Sequence, residues 1–576
     1  MGLFSISQSL GFAGKIFDAK TTTEPIIEVP ALKPHASFKT RNDLPRCTPE
    51  QEGIPSEVVH GFLRALAEDR TLNMHGITIA RNGRIICEAS FGAHRLDVWQ
   101  YTFSACKSVT ALAIGFLVDD GVIGLNDRVV DLFPKESGAM GKMKLKDLTI
   151  EDLLTMRSGV FFTELDSLAS ENWLEGFFDA SVKGEVGKTF RYNSMNTYVL
   201  SAIVALKTGK TLSDFLRDRL FHPLGIKDED WYWETCPKGI EKGGWGLYIR
   251  PDDFVKIAQL VMQKGMWKGI RLISEEYVTA AKFAHVNVVT ESTLFDYGYQ
   301  IWVGKDTNTF LFNGLFGQNV LGFRRNGIVV VSSAGNCELF QQSNFFKYVI
   351  SFFDKDFDQE LPPNRRDVKA LDRYLSSLSF YSGKRFNSSK RTEWVDGYHF
   401  VHTEGHEKSV GILPLILQAV ESRYASGLVS LSFSQRAGAL YMTYEENDSQ
   451  VELQVGVSSP AVQTVLINDL PFTVSAFAKF TYNEDDKPVV VIRIDFLEYP
   501  SSRVIKLIFL DDETVLMKSE EHPGDALAKD VVGLILGEMP DTPLVTGVMD
   551  KIGTDYFLYK AEQVLAPKLL LKKSKE

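Results

Sequence analysis

The chain has 576 residues, too many for one ordinary hydrophobic core, and its 44% hydrophobic and 24% charged residues fit a globular protein of two or three domains. A formal net charge of -11 argues against nucleic acid as the main partner, because phosphate binding needs a basic face. Cys47, Cys87, Cys106, Cys236 and Cys337 are far apart, and the histidines show no ligand spacing, so neither a disulfide framework nor a metal site is expected, and no cofactor is implied.

The first residues, "MGLFSISQSLGFAGKIFDAK", lack a basic start and a sustained apolar run, so no secretory signal is expected, and Ile6 stands where a myristoylation pattern needs Ser or Thr. Leu3, Ile6, Leu10 and Phe17 share a helical face, expected to dock on the protein body rather than on a membrane. No run of 18 apolar residues occurs, so no spanning helix is expected and a cytoplasmic location is the simplest expectation. Residues 1–44 form an N-terminal arm, rich in Thr and Pro from residue 21 onward.

Helix periodicity begins at "GIPSEVVHGFLRALAEDRTLN", with Pro55 and Ser56 at its start. "HGITIARNGRIICEASFG" alternates apolar and polar residues around an Asn-Gly pair, which predicts a hairpin. "FSACKSVTALAIGFLVDDG" predicts a helix, and residues 170 to 225 are mostly helical by pattern, ending in "FHPLGI". "PDDFVKIAQLVMQKG" predicts a capped amphipathic helix. "YGYQIWVG", "TFLFNGLFGQNVLGFRR" and "GIVVVSSAGN" predict successive strands. The order predicts an α+β domain over 45–355: an antiparallel sheet with strands from both ends, flanked by helices, with a helical insert. A linker and bridging helix follow over 356–378. Residues 379–576 carry short alternating runs such as "ALYMTYEE" and "PVVVIRIDFL" and predict an all-β barrel or sandwich. That domain could cover an active-site mouth, support a homo-oligomer or bind a partner.

Ser104 and Lys107 are three residues apart, which on a helix places them on one face. A serine hydroxyl attacks a carbonyl only when a base takes its proton, and a lysine can be that base only if burial keeps it partly neutral. Phe103, Val109, Leu112, Ala113 and Ile114 supply apolar walls, and a helix start would aim the Ser104 N–H at a developing oxyanion. Ser104 as a plain helix cap is the bland alternative.

"FSACKSVTALAIGFLVDDGVIGLNDRVVDLFPK", with the upstream "GIPS" and "RNGRII", resembles the first motif region of the serine β-lactamase/penicillin-binding protein superfamily. It is most similar to the class C-like branch of esterases, D-aminopeptidases and 6-aminohexanoate-dimer hydrolases, which implies a β-lactamase/transpeptidase-like fold. The resemblance covers roughly residues 45 to 350. "FRYNSMNTYVL", followed by a helix and "PLG", matches the layout of the second motif and implies that Tyr192 relays protons at Ser104. Ser194 stands where the family often has Asn, and strict alternation would point Asn193 elsewhere. "KTG" at Lys207, Thr208 and Gly209 copies a third-motif spelling, but it ends an amphipathic helix and is expected to be a C-cap. The third motif is expected instead at "FLFNGLFGQNVLGF", with Phe312, Asn313 and Gly314 in its three places.

On that match the N–H groups of Ser104 and Leu315 form the oxyanion hole. Ser194, Phe312, Asn313, Gly314, Gly317 and Gln318 border the substrate. Phe312 cannot pair with a carboxylate, which favours an apolar ester or amide over β-lactams or D-Ala-D-Ala peptides. Trp245 and Tyr248 either wall the pocket or fill the core, and Cys106 is expected to be buried and inert. The resulting expectation is a serine hydrolase acting on a small-molecule ester or amide through an acyl-enzyme. A penicillin-interacting or D-amino-acid peptidase relative and a non-catalytic scaffold on the same fold are the alternatives.

Overall fold

A computed structural model describes residues 27, 33–36, 38, 43–167, 170–289, 293–357, 360–381, 395–402, 411–524 and 565–574. The apolar face of Leu3, Ile6, Leu10 and Phe17 lies outside the described residues. The first body opens with helix α1 (Ser56–Glu68), then strands β1 (Met74–Arg81) and β2 (Arg84–Ser90). Asn82 and Gly83 turn the hairpin with φ of 51° and 81°, the left-handed pair that a two-residue turn between twisted strands requires. Strand β3 (Gln100–Tyr101) leads through a 3-10 turn (Phe103–Cys106) into helix α2 (Lys107–Asp119).

Helix α3 (Ser194–Thr208), strand β4 (Leu247–Ile249) and helix α4 (Pro251–Met262) follow. Strands β5 (Phe295–Tyr297), β6 (Trp302–Gly304), β7 (Thr309–Gly314), β8 (Gln318–Phe323) and β9 (Ile328–Ala334) then precede helix α5 (Asn344–Phe353). The main sheet runs β5-β6-β7-β8-β9-β1-β2 and is antiparallel throughout. Late strands therefore pair with the earliest, and the helical insert lies between them in sequence, as the pattern predicts.

Side-chain alternation gives the sheet two buried faces. Ile77, Ile79, Leu311 and Val330 pack with Phe62 of α1 and Phe345 and Val349 of α5. Ala80, Phe310, Phe312 and Val331 share the opposite core with α2 and α4. Every residue of α2 from Lys107 to Leu117 is buried. A helix apolar on nearly all sides is a central one, and it holds its lysine away from water.

Helix α6 (Arg365–Leu378) bridges to a β-rich body of strands β10 (His399–His402), β11 (Leu428–Arg436), β12 (Ala439–Glu446), β13 (Gln450–Val455), β14 (Ala461–Ile467), β15 (Leu470–Tyr482), β16 (Pro488–Phe496), β17 (Ser502–Phe509), β18 (Thr514–His522) and β19 (Lys568–Lys573). The order is β13-β12-β11-β10-β19-β18-β17-β16-β15-β14. The two edge strands approach each other: Gln463 Nε2 donates to Gln454 O at 2.7 Å, and Gly456 bonds to Ala476 and Ala478 of β15. The sheet is thus a ten-stranded near-barrel, with strict in-out burial along β12, β13 and β18. No helix among the described residues is long and apolar enough to cross a membrane.

Candidate active site

Ser104 does not start an α-helix. It sits in the 3-10 turn before α2, and Phe103 ahead of it has φ 47°. A left-handed conformation disfavoured for a side chain with a Cβ is held here by packing: Phe103 meets Tyr101 edge-on at 4.6 Å and Phe316 at 5.2 Å. Thr102 fixes the approach through two bonds to the Leu247 carbonyl, from its N–H at 2.9 Å and its hydroxyl at 2.8 Å.

Lys107 Nζ lies 2.7 Å from each of three oxygens: Ser104 Oγ, Ser194 Oγ and the Gly244 carbonyl. A neutral amine has two N–H donors and one lone pair. Ser194 and Gly244 can take the two donors, which leaves the lone pair for the Ser104 proton. The side chain is 1% exposed, and burial pushes its pKa down from 10.5 to about 8, against the opposing pull of the Glu164 charge. The Tyr192 hydroxyl is hydrogen-bonded to Ser104, and burial holds the phenol well above its ordinary pKa, so it stays protonated. Its ring stacks on Trp302 with centroids 5.7 Å apart, and Lys107 Nζ lies 5.0 Å from the ring centre.

Three elements bring these groups together. Asn193 caps α3 by accepting from Met195 N at 2.9 Å, and its amide donates to the carbonyls of Val160 and Phe162. It faces away from Lys107, and Ser194 takes the inward place. Gly243 and Gly244 let the chain press onto α3: a Cβ on Gly244 would stand 2.8 Å from the Ser194 carbonyl oxygen. Gln300 ties the helices together, with its carbonyl accepting from Ser108 and its side-chain oxygen from Thr197.

The third-motif residues frame the other side. Gly314 ends β7 against the turn that carries Ser104, where a Cβ would overlap the Thr102 carbonyl and stand 3.2 Å from Ala105 N. Leu315 opens a second 3-10 turn (Leu315–Gly317), with Phe316 at φ 64°. Ser104 and Leu315 therefore both occupy first-turn positions, where amides lack an intrahelical acceptor. Pairing of β6 with β7 stops at Leu311, so Phe312 to Gly314 present an open edge on that side.

Phe312 itself is 1% exposed and packs against Phe254 and Phe310, behind the strand. Asn313 bonds to Asn319 and Gln341, Gln318 to the Ala334 carbonyl, and the Gly317 carbonyl accepts from Ser332 Oγ. These polar groups brace the turn from within. Cys106 is buried, and its thiol is pushed up to about 12 by that burial. Lys207 and Thr208 close α3, and Gly209 is its left-handed C-cap at φ 68°. Trp245 stacks on Trp173 at 5.4 Å, whereas Tyr248 is fully buried. The Gly244 contact is made by a backbone carbonyl, which no residue type in the sequence announces.

Residues 63–333 match the Beta-lactamase family model. This segment is thus similar to the Beta-lactamase family, in line with the resemblance that its motifs carry. Penicillin-binding protein 4 of Amycolatopsis lactamdurans is 36% identical over 131 residues, covering 21% of this chain and 33% of that protein. Lovastatin esterase of Penicillium rubens is 26% identical over 163 residues, covering 24% of this chain and 41% of that protein. The chain thus spans well under half the length of these relatives. Among solved structures, a putative 6-aminohexanoate-dimer hydrolase from Bacillus anthracis aligns with a TM-score of 0.44 at 16% identity, over 61% of this chain and 92% of that one.

Proposed function

We propose that this chain is a serine hydrolase that cleaves an ester or amide bond through an acyl-enzyme on Ser104. The observation that carries the reading is the buried Lys107 amine, 2.7 Å from Ser104 Oγ and with its other two contacts already supplied. Lys107 takes the Ser104 proton as Oγ attacks the substrate carbonyl carbon. The carbonyl oxygen gains the negative charge and accepts from the N–H groups of Ser104 and Leu315. Tyr192, protonated by virtue of its burial, donates to the leaving oxygen or nitrogen, and the Lys107 ammonium restores the phenol. Water then enters, loses a proton along the same path, and releases the acid.

The substrate class follows from the edge beside β7. Phe312 brings no charge to the third motif, which favours a neutral acyl group against the open strand edge. Hydrolysis of p-nitrophenyl butyrate by the wild type, compared with Ser104→Ala, tests the reading. Turnover that disappears in the variant supports it, and equal rates refute it for simple esters. Labelling by a fluorescent penicillin would move the substrate assignment toward the penicillin-interacting relatives; labelling by a fluorophosphonate alone keeps it with esters and amides.

A further inference from the structure

The strand that delivers Ser104 is completed on one edge by the β-rich body. Tyr101 N donates to the Glu498 carbonyl at 2.8 Å, and the Gln100 side-chain amide donates to the Leu497 carbonyl at 2.9 Å. Trp99 Nε1 donates to the Glu498 carboxylate at 2.6 Å. The Glu498 residue is 1% exposed, and the carboxylate also accepts from Thr473 N at 2.8 Å and Lys33 Nζ at 3.2 Å. A buried charge with these partners cannot shift without leaving one of them unpaired, which fixes its position.

The same turn reaches the other half of the site. Gly335 lies so close to the Pro500 carbonyl that a Cβ would overlap it. The next residue, Asn336, donates its N–H to the Phe316 carbonyl at 3.1 Å, and Phe316 N donates to the Glu338 carbonyl at 3.2 Å. Phe316 directly follows Leu315. Phe103 and Phe316, the two left-handed residues beside the two N–H groups, share a core with Phe472, Phe496 and Tyr499 of the β-rich body. Tyr499 is further tied across the seam, with its hydroxyl 2.7 Å from that of Tyr248 in β4. Residues 497–500 therefore touch both approaches to the oxyanion site.

We propose that Glu498 is a positioning residue for the acyl-transfer reaction. It sets the place of residues 99–101, and with them the spacing of the Ser104 and Leu315 N–H groups. The β-rich body is then part of the catalytic apparatus rather than an appendage. This inference rests on the hydrolase reading of Ser104.

The test uses the full chain with Trp99→Phe, Glu498→Gln and Glu498→Ala. Active sites are counted by fluorophosphonate titration, so that misfolded chains drop out of the rate. Trp99→Phe removes one N–H donor to Glu498, and its kcat per titrated site is expected to fall about 10- to 100-fold, with KM changed less than about twofold, because oxyanion alignment is felt in the transition state. Glu498→Gln keeps an acceptor for Trp99 and should fall between wild type and Glu498→Ala. Unchanged kcat per titrated site in Trp99→Phe and Glu498→Gln, with only a lower melting temperature, makes the contact purely structural and overturns the inference alone. A wild type no faster than Ser104→Ala removes the hydrolase reading and this inference with it.

Discussion

The acylation rate should follow the neutral fraction of Lys107. With a pKa of about 8, roughly a tenth of the chains hold a neutral amine at pH 7, against about 0.03% for a lysine at its ordinary 10.5, a gain of about 300-fold. The rate at which a fluorophosphonate phosphonylates Ser104, with loss of fluoride, is therefore expected to rise about tenfold per pH unit up to about pH 8 and then level off. Ser194→Ala sharpens the test. It removes one of three acceptors around Nζ, and a hydrogen bond to a charged group is worth about 1.5 kcal/mol, or about one pKa unit. The ammonium loses that support, so the ascending limb should move down by up to about one unit. The plateau should fall as well, because the amine loses one of the contacts that orient it. Stopped-flow phosphonylation between about pH 6 and about pH 10 reads both effects. A limb near 10.5 in the wild type, or a limb that moves up in Ser194→Ala, would refute the reasoning.

Holding Lys107 at about 8 costs the folded chain about 3 kcal/mol at pH 7. The unfolded chain binds the extra proton between pH 8 and 10.5, so this cost is fully present below 8 and disappears as pH rises through that window. Lys107→Met should abolish turnover, and its stability relative to the wild type should fall as pH rises from about 8 to 10.5 in chemical denaturation, because only the wild type gains stability across that window; a difference that stays constant with pH there would contradict the assignment. Gly314→Ala forces the turn at Thr102 aside and should lower kcat about 100-fold, with about 1–3 kcal/mol of stability lost. Iodoacetamide should alkylate exposed Cys337 and leave buried Cys106 intact, since its thiol titrates only near 12. Peptide mapping reads this directly, and rapid modification of Cys106 would show that the α2 core opens.

Much of this arrangement was legible in the chain because its signals are local. The Asn-Gly hairpin, the Gly209 C-cap and the three-residue spacing of Ser104 and Lys107 each depend on a few neighbouring residues. The 3-10 turn at Ser104 was not legible, because Phe103 takes its left-handed backbone from rings at Tyr101 and Phe316 rather than from its own preference. The periodicity of the following helix simply runs on through it. Phe312 kept its expected place in the strand, but the direction of its ring follows from which sheet face meets α4, and that requires the packed layers. The Gly244 carbonyl carries no side-chain signature at all. The Glu498 contact joins segments so far apart in the chain that no window of sequence contains both, and only the assembled seam between the two bodies reveals it.

The most direct test of the central claim is the intact mass of the protein after brief exposure to an excess of a slowly hydrolysed ester. The account predicts one acyl group per chain, mapped by peptide fragmentation to Ser104 and absent from Ser104→Ala. Turnover without any adduct on Ser104, or an adduct that persists in Ser104→Ala, would contradict it.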